Sequence, residues 1–329
     1  MREFRKLNLA LICGGKSSER EVSLAGAKEV EKALNKNKYN IKKYDPAKDL
    51  SNIINDKEEI DVAFILLHGK YGEDGTIQGF LELLDIPYQG SGVLGSALAM
   101  DKHLSKTLYK SADIPTPKWL LLDKTNPLTP KQIVAQIGLP LMVKPAMQGS
   151  SVGMSKVCDE AKLLNAMELA WQYDDKIIIE AFIKGRELTG GVIGLKELKA
   201  LPIVEIIPSE EYEFFDYEAK YKPGATKEIC PAQIDKESTK MAQEIAIRCH
   251  KCLSLIGYSR TDMLLSPEGE IYAIETNTIP GMTPTSLLPQ AAQKAGISFP
   301  KLLDLLIEMA LEVKGRFELL EMLRSCEND

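Results

Sequence analysis

Two rhythms of apolar and polar positions run along this chain. Residues 7–13 ("LNLALIC") and 61–67 ("DVAFILL") are nearly continuous apolar runs of strand length, and the spacing over 23–36 predicts an amphipathic helix between them. Strand, helix and strand in that order predict a parallel α/β unit at the N-terminus. Residues 87–119 read as a short turn and one amphipathic helix, which stops at Pro115 and Pro117. Strands are then predicted at "WLLLD", "PLMVKP", "MSKV" and "KIIIEAFI", with helices near 129–137 and 159–171. Further on, strand patterns ("ELTGGVIG", "ALPIVEII") are joined by long connections. A helix at 236–256, a hairpin over 261–276 and helices at 286–295 and 299–325 complete the reading.

One stretch fits neither rhythm. Residues 208–233, "PSEEYEFFDYEAKYKPGATKEICPAQ", are too long for an ordinary connection and suit a lid or a disordered segment. Tyr212, Phe214, Phe215, Tyr217 and Tyr221 are too dense for disorder and favour a lid.

Composition narrows the picture. A chain of 329 residues exceeds one ordinary core, which predicts two or three domains. A net charge of -6 with no basic stripe argues against a nucleic-acid partner. No apolar run approaches the roughly 20 residues of a membrane helix, and the first apolar segment is too short for a signal peptide. The expectation is a cytoplasmic protein with no membrane partner. The six cysteines have no framework spacing and are expected to be reduced thiols. "CHKC" (249–252) lies in a helical pattern with no second ligand pair nearby, which favours buried helix thiols over a metal site.

The sharpest chemical signal is "GYSRTDMLLSPEGEIYAIETNTIPGMTPTSLLPQ". If the turn at "SPEG" is symmetric, Asp262 lies opposite Ala273, and strand alternation puts Asp262, Glu275 and Asn277 on one face. Two carboxylates and an amide make a hard-oxygen site suited to Mg²⁺; the alternative is the solvent side of an edge hairpin, and an odd turn would reverse the parity. Arg260 shares that face, either to stabilise charge on a reacting centre or to pair with a carboxylate. Thr283 is placed to cap a helix beginning at Pro284. The N–H groups of Ser286 and Leu287 would then be open to a carboxylate or phosphate, as at any capped helix.

"LMVKPAMQGSSVGMSKV" (141–157) ends a strand at Lys144 and continues into small residues that let a backbone approach an anion. The lysine precedes the glycines, so this is not a GxxxxGK[ST] loop; a flap over phosphates fits, against a plain surface lysine. "KIIIEAFIKGRE" carries Glu180 and Glu187 at a strand end, where backbone groups suit an adenine and carboxylates a ribose. In "ICGGKSSEREVS", Gly14 and Gly15 make a turn and Ser18 with Glu21 fits a capping box. The absence of GxGxxG argues against a nicotinamide cofactor. Glu19 either faces a ligand or compensates a helix dipole. His68, in "LLHGKYGEDGTIQG", lies where α/β folds carry ligand loops, though a lone histidine there also serves structure.

Taken together, "GGKSSEREVS", "LHGKYGEDGTIQG", "MDKHLSK", "VKPAMQGSSVGMSKV", "FDYEAKY", "RTDML" and "ETNTIPGMTPTSL" resemble, in order and spacing over essentially the whole chain, the D-alanine–D-alanine ligase family of ATP-grasp enzymes, which act in peptidoglycan precursor synthesis. The resemblance implies a three-domain α/β ATP-grasp fold with an N-terminal Rossmann-like parallel sheet domain (1–100), a central part (101–185) and a C-terminal part with metal site and lid (186–329). It implies ATP, two Mg²⁺ (or Mn²⁺), D-alanine as substrate and a homodimer. Lys102 and Lys144 would bind phosphates and Ser151 would belong to the flap. Glu180, the backbone of Ala181 and Ile183, and Glu187 would hold the nucleoside, and Asp262, Glu275 and Asn277 the metal. Glu19 would bind the ammonium of the first D-alanine, within a hydrogen-bonded set with Ser150 and Tyr221, and His68 would lie near that alanine's carboxylate. Arg260 and the Gly281 N–H would form an oxyanion hole, Ser286 and Leu287 would take the second carboxylate, and Lys220 and Tyr221 would close from the lid. Two departures bear on nucleotide affinity: Ala181, where some members have lysine, and "AMQGSS", where Arg or Glu often precedes the glycine. The competing readings are a ligase using D-lactate and a nucleotide-binding module without turnover.

Overall fold

The computed structural model describes residues 5–149, 152–209 and 226–325. Three sheets organise them. The first is parallel, in the order β2-β1-β3, from β1 (Leu7–Ile12), β2 (Tyr39–Tyr44) and β3 (Val62–Ile65). β1 and β3 are the apolar runs foreseen in the sequence. β2, "YNIKKY", is an addition: its lysines are exposed because it forms the sheet edge, so it lacks the apolar pattern of a buried strand. The helix between β1 and β2 is Arg20–Ala33, earlier than 23–36, and the Ser18–Glu21 capping box does not form. Its N-cap is Glu19, whose N–H bonds to Ser17 Oγ at 3.3 Å.

The second sheet is antiparallel, in the order β4-β7-β5-β6: β4 (Trp119–Asp123), β5 (Leu141–Pro145), β6 (Ser155–Val157) and β7 (Lys176–Ala181). The single helix expected before it is two, Val93–Met100 and Lys102–Ser111. Asp101 separates them by accepting the N–H groups of His103 and Leu104, an N-cap that starts a new helix. The expected helix at 159–171 begins as a 3₁₀ turn and is α-helical over Leu163–Ala170.

The third sheet runs β11-β10-β8-β12-β13, with β9 (Lys199–Ala200) beside β8 (Arg186–Gly194). Its other strands are β10 (Val204–Pro208), β11 (Thr226–Ile229), β12 (Gly257–Leu265) and β13 (Ile271–Asn277). β11 corrects the irregular stretch of the sequence reading: Pro208 pairs with Thr226, so the two ends of that stretch are strands held side by side. Residues 210–225 between them, on which the lid expectation falls, lie outside the described residues.

Helix Lys236–Cys252 covers this sheet with Ala242, Ile245, Ala246 and Cys249 turned inward. Truncating Ile245 to alanine would cost about 2–5 kcal/mol. Cys249 is fully buried, as expected for a helix thiol, and His250 Nδ1 lies 2.8 Å from Ser259 Oγ. Among the described residues no group of three His, Cys, Asp or Glu side chains is placed to hold a metal, and the five described cysteines are unpaired. The last helix expected from the sequence is broken at Gly315 (φ +65°) into Phe299–Val313 and Phe317–Ser325. Asp304 on the former accepts from Lys38 (2.9 Å) and Tyr39 (2.6 Å), which ties the C-terminal helices to the parallel sheet.

Candidate active site

A cleft of about 470 Å³ separates the second sheet from the third. Lys102, Lys144, Glu180, Ala181, Ile183, Glu187, Asp262 and Glu275, all singled out in the sequence, line it together. Their convergence follows from strand ends. β5 delivers Lys144 and β7 delivers Glu180; the connector Phe182–Gly185 crosses to β8, which carries Glu187. Met142, Phe182, Ile183 and Leu264 add an apolar wall, so the cleft suits a flat apolar base at one end and anions at the other.

Glu180 is 2% exposed and sits between two lysines, Lys144 on Oε1 and Lys106 at 2.8 Å from Oε2. Burial alone pushes the Glu180 carboxyl up, but the two ammonium groups hold it down at about 2. Burial likewise lowers Lys106, while Glu180 outweighs burial for Lys144 and raises it. Lys106 was not foreseen as a site residue. The signal was present in "MDKHLSK", where it follows Lys102 by four residues, one helical turn. Ala181 gives its N–H to Lys118 C=O (2.9 Å), so only its carbonyl is available to a ligand.

On the hairpin, Arg260 pairs with Asn277 and Asp262 with Glu275. This corrects the expected pairing of Asp262 with Ala273, which instead lies opposite Met263. The turn does have the parity that would have put Asp262 on the wrong face. A bulge restores it: the register shifts between Asp262 and Met263, and the burial alternation of β13 breaks at Ile274 and Glu275, both of which line the cleft. Asp262 accepts Arg260 Nε at 2.9 Å and Nη2 at 2.8 Å, Thr189 Oγ1 at 2.7 Å and Asn277 Nδ2 at 3.2 Å. Lys102 Nζ lies 3.5 Å from Glu275 Oε2 and donates to the Gln148 carbonyl at 2.6 Å. Asp262 and Glu275 line the cleft, Asn277 is hydrogen-bonded to Asp262, and the donor chemistry of the three fits Mg²⁺.

A second cluster surrounds Glu19. A β-carbon added at Gly69 or Gly149 would stand 3.0 or 3.1 Å from Glu19 Oε2, so two loops close directly over this carboxylate. His68 is buried, which lowers its pKa, with Glu19 acting in the opposite sense. Glu73, not foreseen in the sequence, joins them. Its carboxylate accepts from Gly69 N–H (2.8 Å) and Ile279 N–H (3.3 Å), which links the loop after β3 to the segment just after β13. Burial and the neighbouring Glu19 raise the Glu73 carboxyl to about 8. It lies within the motif "LHGKYGEDGTIQG", but burial and the neighbouring Glu19, which give it its character, come only with the fold.

Gly281, Ser286 and Leu287 form a third group. The helix is Leu287–Lys294 with Ser286 as N-cap, so Thr283 is not the cap and Pro284 is not helical. Ser286 N–H bonds to Thr283 C=O at 2.9 Å, which corrects the expectation that it points outward, and Ser286 Oγ accepts from Thr283 N–H at 3.1 Å. A β-carbon at Gly281 would stand 3.1 Å from Ser286 Oγ, so these two groups are neighbours. Ser150, Ser151, Lys220 and Tyr221 lie outside the described residues.

Known proteins are similar to this chain in sequence and fold. Residues 42–91 match the family model described as D-ala D-ala ligase N-terminus, and residues 108–308 match D-ala D-ala ligase C-terminus. A D-alanine–D-alanine ligase of Syntrophobacter fumaroxidans is 55% identical over 307 residues, covering 93% of this chain and 98% of that protein. The D-alanine–D-alanine ligase of Bacillus anthracis, in a crystal structure complexed with ATP, superposes with a TM-score of 0.83 at 37% identity, covering 94% of this chain and 99% of that one. The VanG D-Ala:D-Ser ligase of Enterococcus faecalis gives a TM-score of 0.80 at 35% identity, covering 93% and 100%.

Proposed function

This chain belongs to the D-alanine–D-alanine ligase family, and from that premise we infer that it is an ATP-dependent ligase that joins two D-alanine molecules into the dipeptide used for peptidoglycan precursors. Its fold is the ATP-grasp fold of that family. The observation that carries the reading is the single cleft in which two lysines, the β7–β8 connector and the carboxylate face of the hairpin meet.

In this reading the first D-alanine sits by Glu19, whose carboxylate suits an ammonium group, with His68 nearby. Its carboxylate attacks the γ-phosphate of ATP to give an acylphosphate and ADP; the amine of the second D-alanine then displaces phosphate. The first step asks for alignment and charge neutralisation rather than a protein nucleophile. Lys102 and Lys144 meet that need at the cleft, while Glu187 and the Ala181–Ile183 backbone hold the nucleoside. Asp262, Glu275 and Asn277 would hold two Mg²⁺, or Mn²⁺, which neutralise phosphate charge when bound. The tetrahedral step needs donors aimed at a developing oxyanion, a role suited to Arg260 and the Gly281 N–H. The Leu287 N–H and the Ser286 hydroxyl would take the second carboxylate. Ser150, Ser151, Lys220 and Tyr221 would close over the acylphosphate and exclude water.

We also propose three domains (1–100, 101–185, 186–329), a homodimer and a cytoplasmic location. Among the described residues no helix is long and apolar enough to cross a membrane. The test is phosphate release from MgATP with D-alanine, L-alanine, D-alanine plus D-serine, D-alanine plus D-lactate, or no amino acid, with products weighed by mass spectrometry. D-alanine-dependent release with a dialanine product is expected. A mixed product would assign a different second substrate, and binding of ATP without release would leave a nucleotide-binding module.

A further inference from the structure

We propose that Lys106 is a positioning residue for the nucleotide: it neutralises Glu180 from the buried side and so releases Lys144 to bind phosphate. The inference rests on the cleft being the nucleotide site.

Lys106 is 1% exposed and does not line the cleft, so it cannot itself reach a ligand. It is fixed in place. Its Nζ donates to Thr116 Oγ1 at 2.9 Å, lies 6.0 Å from the centre of the Trp119 ring, and makes a 2.8 Å ion pair with Glu180 Oε2. Lys144 holds the other oxygen of the same carboxylate, but it lines the cleft. Glu180 thus has one fixed cation behind it and one in front that can turn toward an arriving anion.

The need for two follows from burial. A carboxylate taken out of water is strongly destabilising when its partner is removed. If Lys144 were the sole partner, moving it to a phosphate would strand Glu180, and that cost would be subtracted from nucleotide affinity. With Lys106 in place Glu180 remains paired throughout. Lysine suits the role, because a compact ammonium fits between Thr116 and one carboxylate oxygen where a planar guanidinium would not. Helical spacing links the two functions: Lys102 faces the cleft and Lys106, one turn on, lies beneath it.

The test is calorimetric binding of the magnesium complex of the β,γ-imido analogue of ATP to the full chain. Lys106→Met is expected to weaken binding at least about tenfold, as loss of a buried counter-ion implies. In steady state KM for MgATP should rise while KM for D-alanine stays within about twofold. In a Glu180→Gln background no carboxylate needs neutralising, so adding Lys106→Met should cost less than about twofold. Equal losses in both backgrounds, or wild-type affinity in Lys106→Met, overturn the proposal. Should Lys106→Met fail to fold, Thr116→Val removes the tether alone; affinity should fall about threefold, the scale of one lost hydrogen bond, and an unchanged value overturns the proposal. If the unmodified protein binds no nucleotide, the assignment of the cleft fails first.

Discussion

Asp262 grips the guanidinium of Arg260 with both carboxylate oxygens, at 2.9 and 2.8 Å, although the two residues are only two apart on β12. They can meet because alternate residues of a strand share a face. Burial opposes the charge on Arg260, but Asp262 outweighs it and raises the pKa, so the guanidinium is charged and fixed in direction. Replacing it should remove a preorganised donor from the tetrahedral step. Arg260→Ala is expected to lower kcat about 100-fold or more, and Arg260→Lys nearly as much, since an ammonium cannot make the two-point contact. Steady-state assays of dipeptide formation check this; a Lys variant near wild type would detach Arg260 from the chemistry.

Glu275 lies on the same cleft wall as Asp262, its register partner across β12 and β13, with Lys102 3.5 Å from its Oε2. Glu275→Gln keeps the shape and removes the charge that a divalent cation needs. Turnover should fall by at least about 100-fold at saturating Mg²⁺, with an unchanged melting temperature. Near-normal turnover would place the metal elsewhere.

The hairpin shows how a sequence reading can reach the right face through the wrong register. Period-two alternation placed Asp262, Glu275 and Asn277 together, yet the turn has the opposite parity, and the bulge at Ile274–Glu275 corrects it. Strand periodicity alone does not encode a bulge. β1, β3 and β7 were legible because burial on both faces makes them continuously apolar. β2 was not, because an edge strand is exposed and polar. The cleft residues were legible as motifs, whereas Glu73 and Lys106 lie inside quoted motifs yet owe their character to burial beside Glu19 and beside Glu180, which only the tertiary fold brings about.

Gly149 stands where a β-carbon would come within 3.1 Å of Glu19 Oε2. Gly149→Ala should therefore displace the carboxylate rather than unfold the chain. An overpacking cost of about 1–3 kcal/mol, felt mainly when the ammonium of D-alanine must be met, corresponds to a rise of about tenfold in the D-alanine KM. KM for MgATP should be little changed. Kinetics at varied D-alanine, with a thermal melt as control, decide it; an unchanged D-alanine KM would separate Glu19 from substrate.

Glu73 gives the protein a pH dependence whose sign can be worked out. Its carboxyl is raised from 4.5 to about 8, chiefly by burial and then by Glu19. Between those values the folded state holds a proton that the unfolded chain releases, so stability falls as pH rises. The contribution is complete below about 4.5 and lost once pH passes about 8. Glu73→Gln, which stays neutral, should flatten this segment: its unfolding free energy relative to wild type should improve steadily from about pH 5 to about pH 8. Denaturant titrations at several pH values across that window measure the slope directly. Parallel curves for the two proteins would mean that Glu73 is ionised in the folded state and that its two backbone N–H bonds, from Gly69 and Ile279, outweigh its burial.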